Sequence, residues 1–153
     1  MKKFNIFLFS SLFFIAAGCG SPENASLGNL SSDIKVCPKC HMELHKSKIF
    51  SATLNTNGTM NYFDDIGCMI LWAHQNSINL AEVEVKVFTN DSKRYINALD
   101  AHYKLNEKTP MSYGFSADEN RVENTIDFKE VAIKMLRGEH MANPKIRKQI
   151  LGL

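Results

Sequence analysis

Residues 37 to 45 read Cys-Pro-Lys-Cys-His-Met-Glu-Leu-His, and this stretch carries most of the chemistry in the chain. Three cofactors suit it. Cys37, Cys40 and His41 form a C-x-x-C-H string, the pattern of covalent c-type haem attachment, with His41 as the axial ligand. Cys37 and Cys40 are also spaced like half of a zinc site or a redox pair. Cys40, His41 and Met42 set thiolate, imidazole and thioether side by side, donors suited to cuprous ion. Cys40 and Met42 are two residues apart, so an extended backbone points both to one side.

The residues ahead of this stretch decide the compartment expected for it. Lys2 and Lys3 precede 14 almost wholly apolar residues, Phe4 to Ala17. That run is shorter than the ~20 residues a bilayer span needs and suits a secretory signal. Ala16-Ala17-Gly18 leads directly into Cys19, which resembles a lipoprotein signal in which cleavage precedes Cys19 and the new terminal cysteine is acylated. Ala16 stands where such signals usually carry leucine, with Ile15 one step earlier. Residues 1–18 are therefore read as a signal peptide and 19–34 as a lipidated tether. Residues 35–143 are the folded domain and 144–153 a tail. The tether is rich in Gly, Ser and Asn, and its 14 residues from Gly20 to Asp33 would reach a root-mean-square span of roughly 20 Å.

Of 18 Lys and Arg, two lie in the signal, which leaves 16 against the 16 Asp and Glu of the whole chain. That balance predicts neither a nucleic-acid surface nor a patch for anionic lipid. The length suits one domain with its own core. With Cys19 assigned to lipid, Cys37, Cys40 and Cys68 remain. An odd count outside the cytoplasm argues against a pure disulfide framework, and metal is one agent that keeps a spare thiol reduced.

The elements that must position these groups are legible in part. Lys48 to Asn55, a Thr56-Asn57-Gly58 turn and Thr59 to Phe63 predict a β-hairpin, because Asn-Gly between strand-like runs supplies the turn. Asp64 or Asp65 is the expected cap of a following helix, in which Ile66, Met69, Ile70 and Ala73 recur at helical spacing. Val83 to Thr89 alternates apolar and polar and predicts a half-buried strand. Further on, His102 to Leu105 and Tyr113 to Ala117 are candidate strands. Asp127 with Glu130 opens a helix with Phe128, Val131, Ala132 and Met135 on its apolar face, and Gly138 closes it. Pro144 to Leu153 is read as a short basic helix or a loose tail. The class is α+β, with β-β-α-β in the first half and β-β-α again in the second.

These pieces resemble the NosL family, copper-binding accessory lipoproteins of nitrous-oxide reductase maturation. The lipid cysteine, Cys37-Pro-Lys-Cys40-His41-Met42, Tyr62-Phe63-Asp64, the run from Tyr95 to Tyr103 and Thr109-Pro110-Met111 carry the resemblance, most of residues 35–118. The family pattern runs C-x-x-C-G-M, F-D before a helix, W-I-D-A-R-D-A-Y-Y, then P-M-G. It implies two similar β-β-α-β units, one Cu(I) on Cys40 and Met42, and Met111 closing the site from the second half. Cys37 is a fourth group, or a disulfide partner that protects Cys40 when metal is absent. The resemblance also implies nitrous-oxide reductase, or its copper-loading membrane transporter, as partner, and the periplasmic side of a bacterial membrane as location. Two positions depart from the pattern: His41 and Ser112 stand where the family carries glycine.

The alternatives come from other classes. A small electron-transfer cytochrome would use Cys37, Cys40 and His41, but a hairpin and strands follow the motif instead of the helices that wrap such a haem. A zinc-stabilised interaction module would use Cys37, Cys40 and Cys68 with one of His41, His45 or His74. Cys68, however, lies beside a helical core face, where a buried free cysteine is common. His102, His140, Met60 and Met141 are read as surface or packing residues. The chain has no serine elbow, phosphate loop or paired carboxylates placed for acid–base work, so it is not expected to be an enzyme.

Overall fold

A computed structural model describes residues 34–153; the signal peptide, Cys19 and the tether up to residue 33 lie outside the described residues. The expected hairpin forms from β1 (Ala52–Thr56) and β2 (Thr59–Phe63). Asn57 and Gly58 both take positive φ, 51° and 81°, as a two-residue turn matched to strand twist requires. The first strand begins at Ala52, four residues later than the alternation suggests. Lys48 and Phe50 hold left-handed backbone (φ 59° and 69°), which no strand can continue through.

Asp65 caps α1 (Ile66–Gln75), its side chain accepting from the Gly67 N–H at 2.9 Å. The strand expected at 83–89 is β3 (Glu84–Phe88), with Val85 and Val87 buried. A strand that sequence reasoning missed, β4 (Tyr95–Asn97), adds to it through Lys86 to Phe88. The resulting antiparallel sheet runs β2-β1-β3-β4. In the second half β5 (His102–Lys104) pairs with β6 (Ser116–Asp118) as a separate two-stranded sheet. Gly114 at φ 93° delays β6 beyond the expected Tyr113 start.

Asp127 accepts from the Glu130 N–H at 2.8 Å and Gly138 closes with φ 72°, so α2 (Phe128–Arg137) begins and ends where its caps predict. Asn143 caps α3 (Pro144–Leu151), which buries none of its residues. The C-terminal segment is thus helical. The molecule is α+β as expected. The first half runs β-β-α-β-β, one strand more than expected, and the second runs β-β-α-α, ending in a helix, so the two halves are not alike.

α1 packs on β1 and β2 of the larger sheet and on α2, which packs on β5, and the core among them is filled by Leu54, Phe63, Met69, Val87, Tyr103 and Met135 among others. Burying such side chains stabilises by about 1.5–3 kcal/mol each relative to exposure. Buried Tyr103 donates to the Ala98 carbonyl at 2.8 Å, so its hydroxyl is satisfied within the core. No helix among the described residues is long and apolar enough to cross a membrane. The β2–α1 junction and the 109–112 turn meet beside this core, where the Met111 N–H donates to Asp65 Oδ2.

Candidate metal centre

The loop that carries the first two cysteines closes on itself. The Cys37 N–H donates to the Met42 carbonyl and the His41 N–H to the Cys37 carbonyl, both at 2.9 Å, and Val36 pairs with Glu43. This tight return requires His41 to adopt φ 62°. It turns both sulfurs inward: Cys37 is fully buried and Cys40 half-buried, while His41 stays in solvent.

The β2–α1 junction meets this loop. Asp65 is occupied as the helix cap, which leaves Asp64, 4% exposed, free to turn toward the cysteines. Cys68 sits on the first turn of α1, four residues beyond Asp64, and faces the same way. The ligand atoms of Cys37, Cys40, Asp64 and Cys68 all lie within 4.8 Å of one another. A metal with bonds of about 2.3 Å to sulfur sets its donors roughly 4 Å apart, so the cluster needs to contract by less than about 1 Å to close on an ion.

Its electrostatics suit a cation. The Cys40 thiol donates to Asp64 Oδ1 at 3.2 Å, and Asp64 Oδ2 is buried with no hydrogen-bond partner. A buried carboxylate oxygen without a donor is costly, and a bound cation would satisfy it. The neighbouring Cys68 thiol, with the backbone N–H groups of Cys40, Asp64 and Lys39, outweighs burial and holds Cys37 down to about 6. Of the three thiols, Cys37 is thereby the one whose anion is favoured. Burial, reinforced by Asp64, pushes Cys40 up to about 12. The hydrogen bond to Cys37, together with burial, pushes Cys68 upward as well. Burial raises Asp65 to about 6 against the bonds from Thr109, Gly67 and Met111 that favour its carboxylate.

Of the expected ligands, Cys37 and Cys40 are in the cluster. Met42 is 41% exposed and lines a cleft beside Asp64. Met111 is half-buried, and its N–H reaches Asp65 Oδ2 at 3.4 Å, so the Pro110-Met111 turn does meet the cysteine region. Cys19 lies outside the described residues. Cys68 is buried in the core, as expected of a helical free cysteine, and also stands in the cluster, as the zinc set had it. Of the two candidate caps Asp65 is the one used, which leaves Asp64 to the cluster. The Asp-x-x-x-Cys spacing across the start of α1 was the signal available for both, since residues four apart share a helical face.

None of the histidines joins the cluster. His45 is exposed and bonded to Ser47, His74 is exposed at the end of α1, and His140 stands edge-on to Tyr113 at 5.0 Å. The zinc set read from sequence thus keeps its three cysteines but takes Asp64 in place of histidine. The haem set is split, with Cys37 sealed in the core and His41 in solvent. No family model, curated protein or solved structure matches the chain.

Proposed function

We propose that this chain is a lipid-anchored carrier of Cu(I) related to the NosL family, which takes up one ion at Cys37, Cys40 and Cys68 and passes it on. The observation that carries metal binding is the convergence of three thiols and Asp64 within 4.8 Å, with Asp64 Oδ2 buried and unpartnered. Soft thiolates select Cu(I) among ions available outside the cytoplasm. The site is also built for exchange. Cys37 and Cys68 are buried anchors, whereas Cys40 is half-buried and Met42 is exposed next to it. An incoming donor can therefore reach the ion from the Cys40–Met42 side before the buried sulfurs let go.

The backbone also supports the family reading. His41 and Ser112, the two positions where the family carries glycine, both hold left-handed φ, 62° and 56°. Only glycine takes that conformation without strain, so the family pattern has its glycines where this fold needs them. On this reading the chain is not an enzyme, its anchor is acylated Cys19 on the periplasmic side of a bacterial membrane, and the ion's destination is nitrous-oxide reductase or its copper-loading transporter.

One observation favours a second reading. Asp64 completes a four-donor S3O set, the closed tetrahedral shell of a structural zinc site. Titration of the reduced protein with Cu(I) and with Zn2+ against competing chelators separates the two. The carrier reading expects one Cu(I) held far more tightly than Zn2+, on a domain that stays folded without metal. Zinc held more tightly, with unfolding on its removal, would establish the structural site instead.

A further inference from the structure

We infer that the cleft beside Asp64 is a binding site for a small zwitterionic thiol, of cysteine to glutathione size, which loads and unloads the metal; this rests on the carrier reading above. The cleft encloses about 610 Å3. That is room for a small organic ligand, well beyond what an ion needs. Of the four principal clefts among the described residues, it alone contains a member of the metal-binding cluster.

Asp64 joins the two sites. Its Oδ1 accepts the Cys40 thiol, and its side chain lines the cleft. A thiol entering the cleft arrives beside Asp64, the hydrogen-bond partner of Cys40, where Met42 lines the wall. Ile49, Phe50 and Pro110 supply apolar surface for its carbon chain.

Charge selects the kind of thiol. Apart from Asp64, the cleft presents one acid, Glu43, and one fixed cation, Lys108. Neither has an ion-pair partner among the described residues. Together they complement a ligand with an ammonium and a carboxylate. The walls are also strained in a way that ligand sites show: Phe50 and Ser112 both hold left-handed φ, 69° and 56°. Such backbone is costly and persists where the surroundings over-determine it.

The exchange step balances without an oxidant. The incoming sulfur forms a bond to copper as the Cys40 sulfur breaks its own. The incoming thiol's proton passes to Cys40, and copper remains Cu(I) throughout.

The test uses the full chain loaded with one Cu(I), with a chromogenic Cu(I) chelator as the sink. Release is timed against rising cysteine or glutathione, and separately against neutral mercaptoethanol, for the native protein and for K108E and E43Q. Lys108 and Glu43 are both exposed, so neither change disturbs the core. The expected result is release that saturates with the zwitterionic thiols and weakens roughly fivefold in K108E, the loss of one partly exposed charge pair. The mercaptoethanol rate and the copper affinity stay as in the native protein. Linear dependence on every thiol, equal in all three proteins, would overturn the cleft site while leaving the metal centre standing. Failure of the native protein to take up Cu(I) would remove both.

Discussion

Asp64→Asn is the sharpest probe of the centre, because it should make the metal-free protein more stable while weakening its hold on metal. In the native side chain, Oδ1 accepts the Cys40 thiol at 3.2 Å and Oδ2 is buried with no donor. An unsatisfied buried acceptor costs about 1–3 kcal/mol. Asparagine has nearly the same volume, so no cavity forms, and its oxygen keeps the Cys40 bond. Its amide group takes the place of the oxygen that has no donor. The metal-free variant should therefore gain about 1–3 kcal/mol, a rise in Tm of roughly 3–6 °C for each kcal/mol in a domain of this size. Metal narrows the difference. At a free concentration a hundredfold above Kd, a bound ion adds about 2.7 kcal/mol to the native protein. Losing the carboxylate, if it costs tenfold in affinity, removes about 1.4 kcal/mol of that gain. Urea unfolding of both proteins under reductant, with chelator and then with Cu(I), measures the two effects. A variant less stable than the native protein without metal, or one with an undiminished gain from metal, would refute the placement of Asp64 in the centre.

Other consequences follow from the same geometry. Gly67→Ala should lose about 1–3 kcal/mol in urea unfolding, although Ala gains about 1 kcal/mol over Gly in a helix; the added Cβ would strike the Tyr113 ring and lie 2.8 Å from Met135 Cε. Affinity for metal should rise with pH between 6 and 8, close to a hundredfold per unit. The Cys40 and Cys68 thiols are held protonated and must each lose a proton to bind, so a pH-independent affinity would exclude them as ligands. At Asp91, burial opposes ionisation, but the N–H groups of Glu119, Asn120 and Ser92 outweigh it and hold the carboxyl well below the usual range. A depressed native value means the contribution is present above the unfolded value near 4 and is lost as pH falls below it. Asp91→Asn should flatten that acid limb in stability measured from pH 5 to 2.

Cysteine positions, caps and turns were legible because each acts over a few residues. Asn57-Gly58 marks its hairpin, Asp127 and Gly138 bound α2, and the paired cysteines of 37–40 announce a soft-metal or redox site. What could not be read was which distant groups would meet them. Cys68 looks like packing and Asp64 like a cap, because a single residue's type does not say which face of the fold it will share. β4, three residues long, has too few positions to show an alternation, and its pairing with β3 comes from the sheet around it.

The chain alone therefore determined the kind of chemistry: two thiols in a tight turn, a thioether beside them, and an α+β domain to hold them. Tertiary structure decided the donor set. Asp65 satisfies the start of α1, which turns Asp64 and Cys68 toward the Cys37–Cys40 loop, and closure of that loop buries Cys37 but leaves Cys40 at the surface. The physical reason is range. Turn and cap preferences are set by neighbouring residues, whereas four ligand atoms within 4.8 Å require segments more than twenty residues apart to pack on one core.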